Sequence, residues 1–132
     1  MTKQLIAAIA CFAAAQVQAT EYEFVAEDHS PATRFCVAAG EDDIQGLRSA
    51  IRKMRQSPHH QYKTIVNSIR CNGQVAAQFA NVYGATETFE YLYRLTAKEN
   101  REQVGRTSVE DVAVQSPDLD GSDVIVVQVS GR

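Results

Sequence analysis

What this chain lacks narrows its chemistry more than what it contains. There is no Gly-x-Ser-x-Gly elbow, and no serine stands with a histidine in an order known from hydrolases, so nothing supports a serine nucleophile. No His-x-x-x-His pair is present. His59-His60, with His29 and Asp28 elsewhere, therefore read as surface side chains, and no metal is expected. The acidic run Ser116–Asp123 has the flavour of a calcium loop. With Gly121 at the sixth loop position, however, Ser116 falls at the first and Val127 at the twelfth, where a bidentate glutamate is required. Glu110 and Asp111 are adjacent on a strand-like run and would face opposite ways, which is wrong for acid and base work on one bond. No catalytic residue and no cofactor is expected.

Acidic residues are missing over one long interval. Between Asp43 and Glu87 there is none, while Arg48, Arg52, Lys53, Arg55, Lys63 and Arg70 all occur there. Such segregation could form a basic face for an anionic partner: a phosphorylated glycolipid headgroup, an acidic peptide or an inner-membrane surface. The competing reading is the solvated side of two helices, balanced by Glu21, Glu23, Glu27, Asp118, Asp120 and Asp123. The net charge argues against nucleic acid. No aromatic residue is read as interleaving the basic ones to make a stacking platform.

Long apolar runs are also scarce. The one at the start, Leu5 to Ala15, is too short to span a bilayer. Lys3 precedes it and Val17-Gln18-Ala19 follows, the pattern of a secretory signal cut after Ala19. A rival is the loose lipobox Ala8-Ile9-Ala10-Cys11, in which Cys11 would be lipidated. Ordinary cleavage is favoured, because Ala8 stands where leucine is usual. Of the 13 basic side chains Lys3 is then lost, leaving 12 against 16 acidic ones, a formal charge of −4. Residues 20–132 suffice for one domain and are too few for two.

Removal of the signal also removes Cys11. Cys36 and Cys71 remain as an even pair in an oxidising compartment, so a structural disulfide is expected. No Cys-x-x-Cys spacing suggests a redox pair, and a Cys–His nucleophile is excluded once the bond forms.

Alternation of Tyr22, Phe24 and Ala26 with glutamates predicts a strand over 21–26. Ser30-Pro31 starts a helix that Gly40 ends. Asp42 or Asp43 caps a second helix, running to about Arg55 with Ile44, Leu47, Ile51 and Met54 inward. A third runs from about His59 to Cys71, a fourth over 74–83 and a fifth over 86–95. Residues 96–106 read as a polar loop or a frayed extension of the fifth helix. Valine-rich runs at 108–114 and 124–130, separated by turn residues, predict a C-terminal hairpin with the N-terminal strand as third partner. The fold class expected is α+β: about five short helices in stacked hairpins (30–95), one disulfide and a small antiparallel sheet.

Setting Ala38-Ala39 against Ala80-Asn81 brings two helix pairs into register at an offset of 42 residues. Asn72-Gly73, Ala80, Gly84 and Leu92 fall on the spacing of an ankyrin-type unit, although generic helical hairpins with small residues at their crossings would look the same. Phe35-Cys36-Val37-Ala38-Ala39, Cys71-Asn72-Gly73 and Phe79-Ala80-x-x-Tyr83-Gly84-Ala85 resemble the signature of a family of small exported bacterial proteins classed as a domain of unknown function. The resemblance covers about residues 22–93 and leaves out the chain after 96. It implies a periplasmic, disulfide-linked helical domain and brings no activity. The function expected is thus a non-enzymatic periplasmic binding or interaction module. An enzyme or enzyme inhibitor of unrecognised type and a structural envelope-stress protein are the alternatives. The partner expected is a protein or an anionic envelope component; the oligomeric state is left open.

Overall fold

The structure is a computed structural model that describes residues 21–55, 61–105 and 124–132. Strand β1 (Glu21–Ala26) leads into helices α1 (Pro31–Gly40), α2 (Ile44–Met54) and α3 (Tyr62–Ser68). Two-residue strands β2 (Arg70–Cys71) and β3 (Gln74–Val75) follow, then α4 (Ala76–Val82), α5 (Thr86–Leu95), α6 (Lys98–Arg101) and β4 (Val124–Val129). The α+β class stands. Phe35 and Cys36 of α1, Leu47 and Ile51 of α2, Val66 of α3, Phe79 of α4, Leu92 of α5 and Val129 of β4 are its buried centre. The disulfide Cys36–Cys71 joins α1 to β2 inside that core.

Helix α1 starts where local chemistry dictates. The Ser30 hydroxyl accepts from Thr33 N–H at 3.2 Å, with Pro31 in the first turn. Gly40 is its last residue, as expected, but does not itself reverse the chain. Asp42 does so, with φ of 59°, and Asp43 N–H returns to the Ala38 carbonyl at 3.0 Å. That six-to-one bond is a Schellman closure, with an aspartate in the left-handed position usually given to glycine. The end of α4 repeats it. Gly84 has φ of 69°, its N–H meets Asn81 O at 3.2 Å, and Ala85 N–H meets Ala80 O at 2.9 Å. The two turns, at 42 and 84, stand at the offset read in the sequence. Both helix pairs, α1 with α2 and α4 with α5, pack as hairpins around them.

The hairpins differ in how their second helices are capped. Asp43 caps α2 locally, its carboxylate accepting from Gly46 N–H at 2.9 Å. At the equivalent place α5 has Ala85, which carries no acceptor. Asp42 of the first hairpin supplies the missing group, accepting from Thr88 N–H at 2.9 Å, while the Thr88 hydroxyl donates to Ala39 O at 2.7 Å. Both aspartates are caps, of different helices.

Two expectations are corrected between Cys71 and Ala76. Asn72-Gly73 does not simply stop a helix. Both residues have positive φ, 48° and 79°, the primed-turn geometry that lets β2 and β3 pair antiparallel, so α4 begins at Ala76 and not at residue 74. The segment read as loop from 96 also contains α6. The third helix begins at Tyr62 and not near His59, because Gln61 is its extended N-cap, with φ of −70° and ψ of 150°; residues 56–60 lie outside the described residues.

The larger sheet differs most. β1 and β4 pair in parallel, Glu21 opposite Val124 through Ala26 opposite Val129, and not antiparallel as a meander would require. The helices intervene between the two strands, so no tight hairpin constrains their relative direction. Beyond β4 the chain runs on to the start of the β2–β3 turn. Arg70 and Arg132 exchange backbone hydrogen bonds of 2.7 and 3.0 Å, and Asn72 holds Ser130 N–H and Gln128 O. Gly131 N–H donates to the buried Thr33 hydroxyl. β4 must therefore point toward the beginning of α1, the direction β1 already takes. The strand expected over 108–114, with Glu110, Asp111, Asp118, Asp120 and Asp123, lies outside the described residues.

Candidate functional site

Helix α2 has two unlike faces. Leu47, Ala50 and Ile51 are buried against the rest of the fold. On the flank beside that buried stripe Arg48 and Arg52, four residues apart, stand one above the other, and Arg55 at the helix end continues the row. All three are exposed.

Neighbouring helices place tyrosines beneath them. The Arg48 guanidinium carbon lies 5.3 Å from the centre of the Tyr91 ring on α5, and that of Arg55 lies 5.4 Å from the Tyr62 ring at the start of α3. These distances are those of cation–π contacts, worth about 0.5–1 kcal/mol each at exposed sites. Arg48, Arg52, Tyr62 and Tyr91 line a cleft of about 280 Å³.

The six basic residues singled out in the sequence divide four ways. Arg48, Arg52 and Arg55 form the row. Lys53, about a quarter-turn away, lines a different cleft with Arg34, Glu41 and Asp43, between α1 and α2. There burial, and secondarily the charge of Asp43, raises the Glu41 carboxyl above the usual range. Lys63 is exposed on α3, one residue beyond Tyr62. Arg70 is half-buried and tied down, donating to Asn67 O at 2.9 Å, Ile69 O at 3.3 Å and Asn100 Oδ1 at 3.3 Å. It helps hold α3, α6 and the C-terminal tail together.

The expectation that no aromatic residue interleaves the basic ones is overturned by Tyr62 and Tyr91. Tyr62 could have been found, since it stands between Arg55 and Lys63 in the chain. Tyr91 could not, because its link to Arg48 exists only where α5 packs beside α2.

His29 is exposed, and His59 and His60 lie outside the described residues. Among the described residues no group of three or more His, Cys, Asp or Glu side chains could hold a metal ion. Nor is any described helix long and apolar enough to cross a membrane.

Comparison with known families places this arrangement. Residues 35–114, more than half of the chain, match the family described as "Protein of unknown function (DUF3718)". The chain belongs to the DUF3718 family. The match corrects the extent of the resemblance read earlier: it begins at Phe35, after β1, and runs past residue 96 to Val114, taking in α6. Both bonded cysteines, the arginine stripe and both tyrosines fall within the DUF3718 region, while β1 and β4 fall outside it. No curated protein and no solved structure matches the chain.

Proposed function

We propose that this protein is an exported, periplasmic binding module without catalytic activity, which uses the face formed by Arg48, Arg52 and Arg55 to hold an anionic component of the cell envelope. One observation carries the reading: three guanidinium groups share one exposed helix side, and two of them rest on tyrosine rings. Stacking restrains long side chains and leaves their N–H edges to meet an anion.

Export is supported by the buried Cys36–Cys71 bond, since disulfides persist in oxidising compartments, and by the leader-like residues 1–19. The paired hairpins serve as an ankyrin-like platform that presents one helix side to its partner.

Co-sedimentation of the oxidised protein with vesicles tests the reading. Binding to vesicles rich in anionic lipid is expected at low salt, weakening as salt rises, with none to neutral vesicles. The variant R48E/R52E/R55E should lose it while keeping its circular dichroism spectrum. Retained binding in that variant, or none in the natural protein, would overturn the proposal.

A further inference from the structure

Resting on the arginine-face reading, we infer that the cleft between α2, α3 and α5 is a site for a phosphomonoester, taken by the facing edges of Arg48 and Arg52. Four residues line this cleft, two guanidiniums and two phenols. All four offer donors, and the only acceptors among their side chains are phenolic oxygens. That composition favours an anion with several acceptor oxygens. Asp43 is the last acid before the arginines and Glu87 the first after them, so the stretch contributing three of the four lining residues has no carboxylate of its own to compete.

Charge and shape separate the candidate anions. A phosphomonoester carries about −1.5 to −2 at neutral pH and three terminal oxygens, a match for two guanidiniums. A phosphodiester or a carboxylate carries one charge and would leave one cation uncompensated. Arginine is suited to this because its planar fork makes paired hydrogen bonds, whereas lysine acts as a point charge. Tyr91 supports that geometry: with Arg48 5.3 Å above its ring, the face of the guanidinium is occupied and the N–H edge remains for a ligand. A volume of about 280 Å³ lies just below the ~300–1,000 Å³ of typical small-ligand sites, which suits a single headgroup or sugar phosphate and not a long chain.

Vesicles of matched surface charge provide the test, containing phosphatidic acid (a monoester), phosphatidylglycerol (a diester) or a hemisuccinate lipid (a carboxylate). The natural, oxidised protein should bind the monoester vesicles at least fivefold more tightly than the other two. R48K/R52K keeps the charge and removes the forks, so this preference should fall to unity while salt-sensitive binding to all three persists. Glucose 1-phosphate is then added as a soluble competitor. Displacement at millimolar concentration would show that the phosphoryl group alone is recognised, and a monoester preference without displacement would show that it must be borne on a membrane. Equal binding to the three vesicles by the natural protein would overturn the phosphomonoester site and leave the arginine-face proposal intact. A preference that survives in R48K/R52K would also overturn it. Absence of binding to every anionic vesicle would overturn both.

Discussion

Replacing Asp42 tests the dependence of one helical hairpin on the other. This residue holds a left-handed backbone at φ 59° and sends its carboxylate to the first turn of α5, where Thr88 N–H donates to it at 2.9 Å. Three substitutions separate those duties. Asp42→Asn keeps an acceptor oxygen and tolerates the left-handed conformation, losing only the favourable charge at a helix N-terminus, so it should cost about 0.5 kcal/mol. Asp42→Gly removes the cap, about 1 kcal/mol, with no backbone penalty. Asp42→Ala removes the cap and also forces a Cβ-bearing residue into the left-handed region without a polar side chain to compensate, for a total of about 2–3 kcal/mol. The expected order of loss is Asn, Gly, Ala. Urea unfolding of the oxidised proteins measures it through the midpoint at constant slope. Hydrogen exchange at the Thr88 amide should accelerate in the Gly and Ala variants but little in Asn. An Asn variant as unstable as the Ala variant would refute the trans-capping account, and so would an Ala variant with an unchanged midpoint.

Other perturbations probe the core, the tail and pH. Removing the disulfide as C36A/C71A should cost about 4 kcal/mol from loop entropy alone, given a separation of 35 residues. The urea slope should rise as well, because the unfolded chain loses its cross-link. Gly131→Ala would place a methyl group against the Ala32 carbonyl and Thr33 N–H, backbone atoms that cannot retreat, so about 2–3 kcal/mol should be lost. Limited proteolysis should then release the C-terminal tail first. Because burial and Asp43 raise the Glu41 carboxyl, the folded state binds its proton more tightly than the unfolded state. Stability should therefore decline as pH rises from the ordinary carboxylate value through the raised one. Glu41→Gln should be more stable than the natural protein at neutral pH and indistinguishable from it at pH 3, as followed by thermal melts.

Much of the helical part was legible because its signals are local. Ser30-Pro31 and Asp43 act within one helical turn of themselves, and the apolar stripes of α1 and α2 repeat at helical spacing. The disulfide was legible because the signal segment expected over residues 1–19 would take Cys11 with it and leave only two cysteines. Errors fell where one residue type serves two geometries. Asn72-Gly73 can follow a helix or turn a hairpin, and the positive φ at both residues decides for the hairpin. The cap expected of Asp42 or Asp43 is made by Asp43, while the service of Asp42 to α5 has no local signal. Of the candidate site, the arginines and Tyr62 lie within one stretch of the sequence, and only the packing of α5 beside α2 brings Tyr91 to them.

The amino-acid order alone determined where α1, α2 and α5 begin, which sides of them are apolar, which cysteines meet and that positive charge gathers in one stretch without acids. Each of these depends on neighbours within a few positions or on simple counting. Tertiary structure decided that β4 lies parallel to β1, that Asp42 reaches across to α5, and that only Arg48, Arg52 and Arg55 share a face while Lys53 and Arg70 are drawn elsewhere. Those outcomes depend on where packed helices carry distant parts of the chain. No local preference encodes that, because the forces that set it arise only once the apolar faces have closed on one another.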